Sequence, residues 1–418
     1  MLTAEANDTN RIWDILTSHK AVLTYAIILT AAVAAIMILI IVRDISDAKM
    51  RERDKKRRGD NVRFNRLTEL DENAARLRSR GGADYKGDLT RLCEEFRNFA
   101  ASQMGLYYEI STIRAFISSL AVTKLVILQG MSGTGKTSLP YAFGKFVDSS
   151  AAIIPVQPSW KDKTDMLGYY NEFTDNFTET ELLCKLYEAN IDDRVHMAVL
   201  DEMNIARVEY YFAEFLSLLE LPDPKSRLVE VISSRRKNDP ELLKDGKLLI
   251  PENVWFIGTA NNDDSTLAIS DKVYDRSMVL ELSRRATPFI APETEPLRIT
   301  YKKLTELFHE AEAAHISETS RARIEQLDEY LIDKLQITFG NRVMRQTEKF
   351  VPVYASAGGS ETEAIDLILC KKVLRKLENL NPVYVGSKAE DLLEKIKELF
   401  GEKTMPLCTE YVSRYIRS

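Results

Sequence analysis

Cysteine is scarce in this chain: four residues in 418, Cys93, Cys184, Cys370 and Cys408, far apart and in no C-x-x-C spacing. That excludes a disulfide scaffold and a cysteine-ligated zinc site, and reads as free thiols, mostly buried, in a reducing compartment. Histidine is as sparse, and His19, His196, His309 and His315 form no metal-ligand pattern. There is no internal repeat and no low-complexity tract. Positive charge is not in excess either: 57 Lys and Arg against 63 Asp and Glu leave a formal net charge of −6. This argues against the globular part as a general nucleic-acid binder, although a basic pore inside an acidic shell is compatible with it.

What is present begins with a long apolar run. Residues Ala21 to Val42 carry no charged side chain. As a helix at 1.5 Å per residue they would extend about 33 Å, enough to cross a hydrocarbon core of about 30 Å. Arg43, Lys49, Arg51, Arg53, Lys55, Lys56, Arg57 and Arg58 crowd one flank, and only Arg11 and Lys20 stand on the other. The positive-inside bias puts residues 1–20 outside and everything after Val42 in the cytoplasm. A cleaved signal peptide would need a basic start and a shorter apolar core. The expectation is a single-pass plasma (inner) membrane protein. The basic run from Arg43 to Arg66 reads as contact with anionic lipid, or else as a nucleic-acid contact. Phe64, Leu67, Leu70, Ala74 and Leu77 then form a helical stripe ended by Gly81-Gly82, packing as a short coiled coil or on the next domain.

The strongest signal is Gly130-Met131-Ser132-Gly133-Thr134-Gly135-Lys136-Thr137, directly after the apolar run Leu125-Val126-Ile127-Leu128. It is a full G-x-x-x-x-G-K-[ST] loop between a buried strand and a helix-like segment. The glycines let backbone N–H groups, up to that of Ser138, turn around a polyphosphate at a helix N-terminus. Lys136 reaches the outer phosphates and Thr137 takes Mg²⁺. Pro140 is expected to kink the helix just past its first turn.

A second apolar strand, Met197 to Leu200, ends in Asp201-Glu202. Beside such a loop the first carboxylate holds Mg²⁺ and the second polarises the attacking water. Adjacent strand residues face opposite ways, so both reach the site only if the chain turns there. A third strand, Val254 to Ala260, ends in Asn261-Asn262-Asp263-Asp264, where a polar amide can orient the lytic water; an Asx-rich turn is the alternative, chiefly for Asn262 and Asp263.

These residues carry a resemblance. Leu200-Asp201-Glu202-Met203-Asn204-Ile205-Ala206-Arg207 resembles the Walker B region of AAA+ ATPases of the McrB, MoxR and dynein-related branch, and Ile250 to Asn261 resembles the McrB-type strand leading into sensor 1. Leu228-Val229-Glu230-Val231 and Lys247-Leu248-Leu249-Ile250 fit the hairpin this branch inserts before sensor 1. The likeness covers about Leu106 to Phe350 and implies a P-loop α/β base with a parallel sheet and a helical lid. It implies that Asn261 is sensor 1, that Arg276 is the arginine finger completing a neighbour's site, and that Arg342, with Arg345 as the other candidate, is sensor 2 over the nucleotide. Asn261-x-x-Asp264 is similar to the Asn-x-x-Asp signature of McrB-type GTPases, with Asn262-Asp263 replacing the usual Thr-Ala. Trp160 and Tyr169 lie where such rings can carry pore-facing aromatics, although ordinary packing also accounts for them.

The expected division is a short extracytoplasmic segment 1–20, the span 21–42, a basic and helical linker 43–84, the base 85–287, and a helical lid with C-terminal helices 288–418. Pro288, Pro292 and Pro296 mark the junction, Ser360-x-x-Glu363 and Ser387-x-x-Glu390 read as capping boxes, and Gly401 suits a helix C-terminus. The resemblance implies a bacterial NTPase, homo-oligomeric as a hexameric ring, that uses ATP or GTP with Mg²⁺ to remodel a partner. A nucleotide-dependent assembly switch and a McrB-like motor subunit of a restriction or defence system remain the alternatives. McrB types work with a McrC-type activator and MoxR types with von Willebrand-domain proteins; either fits.

Overall fold

A computed structural model describes residues 62–79, 85–149, 151–261, 266–282 and 286–416, and Met37. The apolar run 21–42 apart from Met37, its basic flank through Arg58, Gly81-Gly82 and Asn262 to Asp264 lie outside the described residues. Among the described residues no helix is long and apolar enough to cross a membrane. The described chain from Arg63 onward forms one compact unit.

Among the described residues the strands run β1 (Leu125–Gly130), β2 (Ala151–Pro155), β3 (Gly168–Asn171), β4 (Asn176–Glu179), β5 (His196–Asp201), β6 (Leu228–Glu230), β7 (Lys247–Leu249), β8 (Val254–Asn261) and β9 (Met278–Glu281). Five make the central sheet, in the order β2-β5-β8-β1-β9, every pair parallel. Its strands read as unbroken apolar runs because both faces are covered. Leu125, Ile127, Ala198, Leu200 and Phe256 face one core, while Val126, Leu128, Met197, Val199, Trp255 and Ile257 face the other. The first core is closed by the helix Glu181–Ala189 and the short helices Val208–Tyr211 and Ala213–Leu218. The second is shared with Leu89–Met104, Ile110–Val122, Ser138–Phe146 and the helices that follow residue 300. All four cysteines are buried and free.

The stripe from Phe64 packs on this unit. Phe64 stacks on Phe177 with ring centroids 4.7 Å apart, and Leu67 is buried beside it. The carboxylate of Glu179 accepts the N–H groups of Arg66 and Leu67, capping the helix Asn65–Glu72. Two arginines of the expected lipid-facing run are engaged here instead. Arg63 is buried on Asp239 at 2.6 Å, and Arg66 pairs with Glu181 at 2.6 Å.

β6 and β7 pair antiparallel, Leu228 opposite Leu249, as the two short runs suggested. Pro140 is the third residue of Ser138–Phe146, where a helix N–H has no intrahelical acceptor, so it fits the first turn without breaking the helix. Ser360 and Glu363 form their capping box. Ser387 does not: its hydroxyl donates to Tyr384 O inside the helix Pro382–Phe400, which Asn381 caps with Pro382 in its first turn. Gly401 ends that helix at φ 103°.

One side chain ties the lower ends of two central strands. Buried Asn253 donates from Nδ2 to the carbonyls of Ala189, Asp192 and Arg194 at 3.0, 3.1 and 3.0 Å, and its own carbonyl accepts the His196 N–H. Asn253→Ala leaves those carbonyls short of a donor and is expected to cost about 2 kcal/mol of stability. Urea denaturation of the variant beside the parent checks this.

Candidate functional site

Parallel strands bring their C-terminal ends to one edge, and three of those ends carry the sequence motifs. Register sets the arrangement: Gly130 ends β1 opposite Asn261 of β8, and Leu200 of β5 lies opposite Gly258 of β8. A cavity of about 170 Å³ opens there, lined by Ser132, Gly133, Gly135, Lys136, Thr137, Ser138, Asp201, Glu202, Thr259 and Asn261.

Gly130 begins the loop at φ 150°, and a Cβ there would stand 2.3 Å from the carbonyl oxygen of Leu282. Only glycine lets the chain leave β1 beside that neighbour. Met131 projects from the loop tip, 73% exposed, and Thr134 Oγ1 donates to its carbonyl at 2.9 Å. Lys136 is buried, its Nζ donating to Gly130 O at 2.9 Å and Met131 O at 2.7 Å. Thr137 then leads into the helix Ser138–Phe146, whose N-terminus points to the cavity loop. Tyr108 supports the loop from below, its hydroxyl donating to Gly135 O at 3.2 Å, and burial pushes that phenol well above its ordinary range.

Asp201 is the centre of the polar cluster. Its Oδ1 accepts Thr137 Oγ1 at 2.6 Å and Thr259 Oγ1 at 2.8 Å. The chain turns at the next residue, where Glu202 takes left-handed φ 53°, ψ 47°. That turn brings both carboxylates to one cavity, as alternation along a straight strand would not. The Glu202 N–H donates to Thr259 Oγ1 at 2.8 Å, and Asn261 Nδ2 donates to Glu202 Oε1 at 3.3 Å. Met203 packs beneath this turn against Gly258, where a Cβ would come within 1.9 Å of its sulfur.

Two residues here escaped the sequence reading. Thr259 bridges Asp201 and the Glu202 backbone; the available signal was a hydroxyl late in an apolar strand, and its meaning needs the β5–β8 register. Asn204 holds the Asn261 backbone on both sides, donating to its carbonyl at 3.0 Å and accepting its N–H at 3.3 Å.

Arg276 and Arg342 are not among the residues at the loop. Arg276 stands just before β9, at the sheet end opposite the loop, so the length of a strand, about 20 Å, separates the two. It lines a second cavity, of about 520 Å³, with Lys124, Trp255, Arg342 and Arg345. Arg342 therefore does not sit over the nucleotide loop of its own chain, as sensor 2 was expected to; its helix, Gly340–Ser356, docks toward the far end of the sheet. Both arginines converge on one carboxylate. Glu220 Oε1 is 2.7 Å from Arg342 Nη2, and Glu220 Oε2 is 2.9 Å from Arg276 Nε, the latter without hydrogen-bond alignment. Of the two candidate pore aromatics, Trp160 packs edge-on to Tyr211 at 5.3 Å, whereas Tyr169 is exposed on the β3–β4 hairpin.

The loop, its lysine, the hydroxyl and the strand-end carboxylates suit a polyphosphate. It is a P-loop site. A family described as Domain of unknown function (DUF8727) matches residues 294–418. The Type IV methyl-directed restriction enzyme EcoKMcrB subunit of Escherichia coli K12 is 25% identical over 173 residues, 40% of this chain. The chain covers 36% of that relative's length. A candidate ATPase from Cytophaga hutchinsonii aligns over 79% of this chain and 98% of its own, at 14% identity and a TM-score of 0.49. The matched stretch of that subunit and the cavity geometry agree on a phosphate-binding P-loop domain.

The donor set suits Mg²⁺. Thr137 Oγ1 and Asp201 Oδ1 are hard oxygens already 2.6 Å apart at the cavity floor, and an ion that keeps several waters needs few protein ligands. Thr259→Val removes the hydroxyl that orients Asp201 while keeping the strand's shape. Turnover measured across a Mg²⁺ titration is expected to need about tenfold more metal, with maximal rate lowered by a similar factor.

Proposed function

We propose that this chain is a membrane-anchored AAA+ nucleoside triphosphatase, working as a ring that converts Mg²⁺-dependent hydrolysis of ATP, or of GTP, into remodelling of a partner. The observation that carries the reading is the convergence of Lys136, Thr137, Asp201, Glu202 and Asn261 on one cavity. Backbone N–H groups from Gly130 to Ser138 and the Lys136 ammonium bind the phosphates. Thr137 and Asp201 would hold Mg²⁺, which supplies positive charge against the polyphosphate. Glu202 takes a proton from the attacking water, and Asn261, bonded to the same carboxylate, orients that water. Arg276 serves the site of an adjacent subunit, because it stands at the wrong end of its own sheet. Arg342 shares Glu220 with it and would meet the same phosphate groups.

A second reading, a motor subunit of a restriction or defence assembly that prefers GTP, is favoured by the similarity to the EcoKMcrB subunit. A McrC-type activator is the partner of that reading; a von Willebrand-domain protein is the partner on the MoxR side. Side-by-side turnover of ATP and GTP, with each candidate partner added, separates them.

Glu202→Gln is expected to bind nucleotide and lose turnover, since an amide fills the space without accepting a proton; Lys136→Ala is expected to lose binding. Arg276→Ala should bind nucleotide normally and lose hydrolysis by about 10³-fold. Mixed with Glu202→Gln subunits it should regain partial activity, because intact sites then meet intact arginines. Parental turnover by Glu202→Gln would remove the catalytic assignment.

The anchor is testable separately. Removing residues up to about Arg58 should release the protein from membranes with nucleotide binding intact, and weaken assembly, because tethered helices raise local concentration. Sedimentation of both forms at equal concentration with nucleotide checks this; equal assembly would leave the helix as an address only.

A further inference from the structure

The helices after residue 300 carry none of the groups at the P-loop cavity, yet they grip the segment that presents Arg276. The grip comes from one turn. Leu369–Val373 is a π-helical turn between the helix Glu361–Ile368 and the 3₁₀ turn Leu374–Asn379. Its two neighbouring lysines take different partners. Lys371 reaches Glu281 of β9, and Lys372 points inward, 4% exposed. Its ammonium donates to three backbone carbonyls: Tyr274 at 2.6 Å, Asp275 at 3.3 Å and Ser277 at 2.6 Å. Those three residues bracket Arg276 on both sides. Gln346 of Gly340–Ser356 adds a fourth bond, Nε2 to Asp275 O at 3.2 Å. One turn further, Arg375 pairs with Asp271 at 2.6 Å and lies over the Tyr274 ring at 3.8 Å.

A buried ammonium is costly, and an apolar side chain would fill this space more cheaply. Burial pushes Lys372 down to about 7. What the charge supplies is a fixed point for a short loop. The loop also has a link to the phosphate side of its own subunit. Gln129, the residue before Gly130, donates from Nε2 to the Tyr274 hydroxyl. The Arg276 loop is thus held between β1 and the π-turn.

We propose that Lys372 is a positioning residue for Arg276: from the π-turn it fixes the backbone on either side of the arginine that each subunit offers to its neighbour. The C-terminal helices thereby set whether an adjacent site hydrolyses, although they touch no nucleotide themselves. This rests on the reading of Arg276 as a finger acting between subunits. A displacement of about 1 Å in such a group costs on the order of 10²-fold in rate.

The test uses the full chain and three variants, Lys372→Met, Arg276→Ala and Glu202→Gln, alone and in pairwise mixtures with ATP and Mg²⁺. Lys372→Met alone should lose at least about tenfold in turnover, with nucleotide affinity and thermal midpoint near those of Arg276→Ala. Mixed with Glu202→Gln it should recover activity, because its sites are intact and receive well-placed arginines. Mixed with Arg276→Ala it should not recover, since neither partner offers one. A Lys372→Met protein of parental turnover overturns the proposal. So does one that binds no nucleotide or fails to recover with Glu202→Gln, because its defect is then not confined to the donated arginine. The underlying reading fails in a different way: Arg276→Ala then shows no recovery with Glu202→Gln, whatever Lys372→Met does.

Discussion

Everything at the nucleotide site hangs on the carboxylate of Asp201 receiving hydroxyls from two other strands. Thr137 arrives from the end of β1 through the loop, Thr259 arrives along β8, and both donate to the same oxygen. That meeting needs β1, β8 and β5 to be parallel and in one register, because a slip of one residue would turn Thr259 to the other core. The two-sided apolar core is what enforces the register. Packing far from the site therefore decides whether Asp201, Glu202 and the loop from Gly130 stand within reach of each other.

Much of this was legible in the sequence, and the reasons are specific. Leu125 to Leu128, Met197 to Leu200 and Val254 to Ala260 announce themselves because a strand covered on both faces must be apolar throughout. The loop announces itself because backbone N–H groups can surround phosphates only where glycine permits the turn. Glu202 could be placed because the motif stops where its strand stops, and its left-handed backbone is the physical form of that stop.

What stayed illegible depends on pairings between distant segments. Threonine is an ordinary strand former, so nothing local marks Thr259 as the bridge to Asp201. Arg63 and Arg66 look like members of one basic run, but tertiary contacts with Asp239 and Glu181 draw them out of it. Ser387 satisfies a local capping rule, and Asn381-Pro382, six residues earlier, satisfies a stronger one. For Arg342 the sequence gives the helix it opens, whereas the docking of that helix decides which end of the sheet it reaches. Lys372 is the clearest case: its neighbours Lys371 and Arg375 are just as basic, and only the docking of this turn on the Tyr274 to Ser277 carbonyls sorts inward from outward.

Glu220 sets the terms on which an anion could meet the two arginines of the far cavity. Two guanidinium groups share one tethered carboxylate, so the cluster carries one positive charge rather than two. Any incoming anion has to displace a counterion that never leaves by diffusion. A chloride or a small monoanion offers no more charge than the carboxylate it would replace, and it loses the advantage of the tether. A polyanion with several adjacent oxygens can engage both arginines together and outcompete it. An anion meeting these two arginines would thus be selected by its charge density, with Glu220 as the competitor already in place.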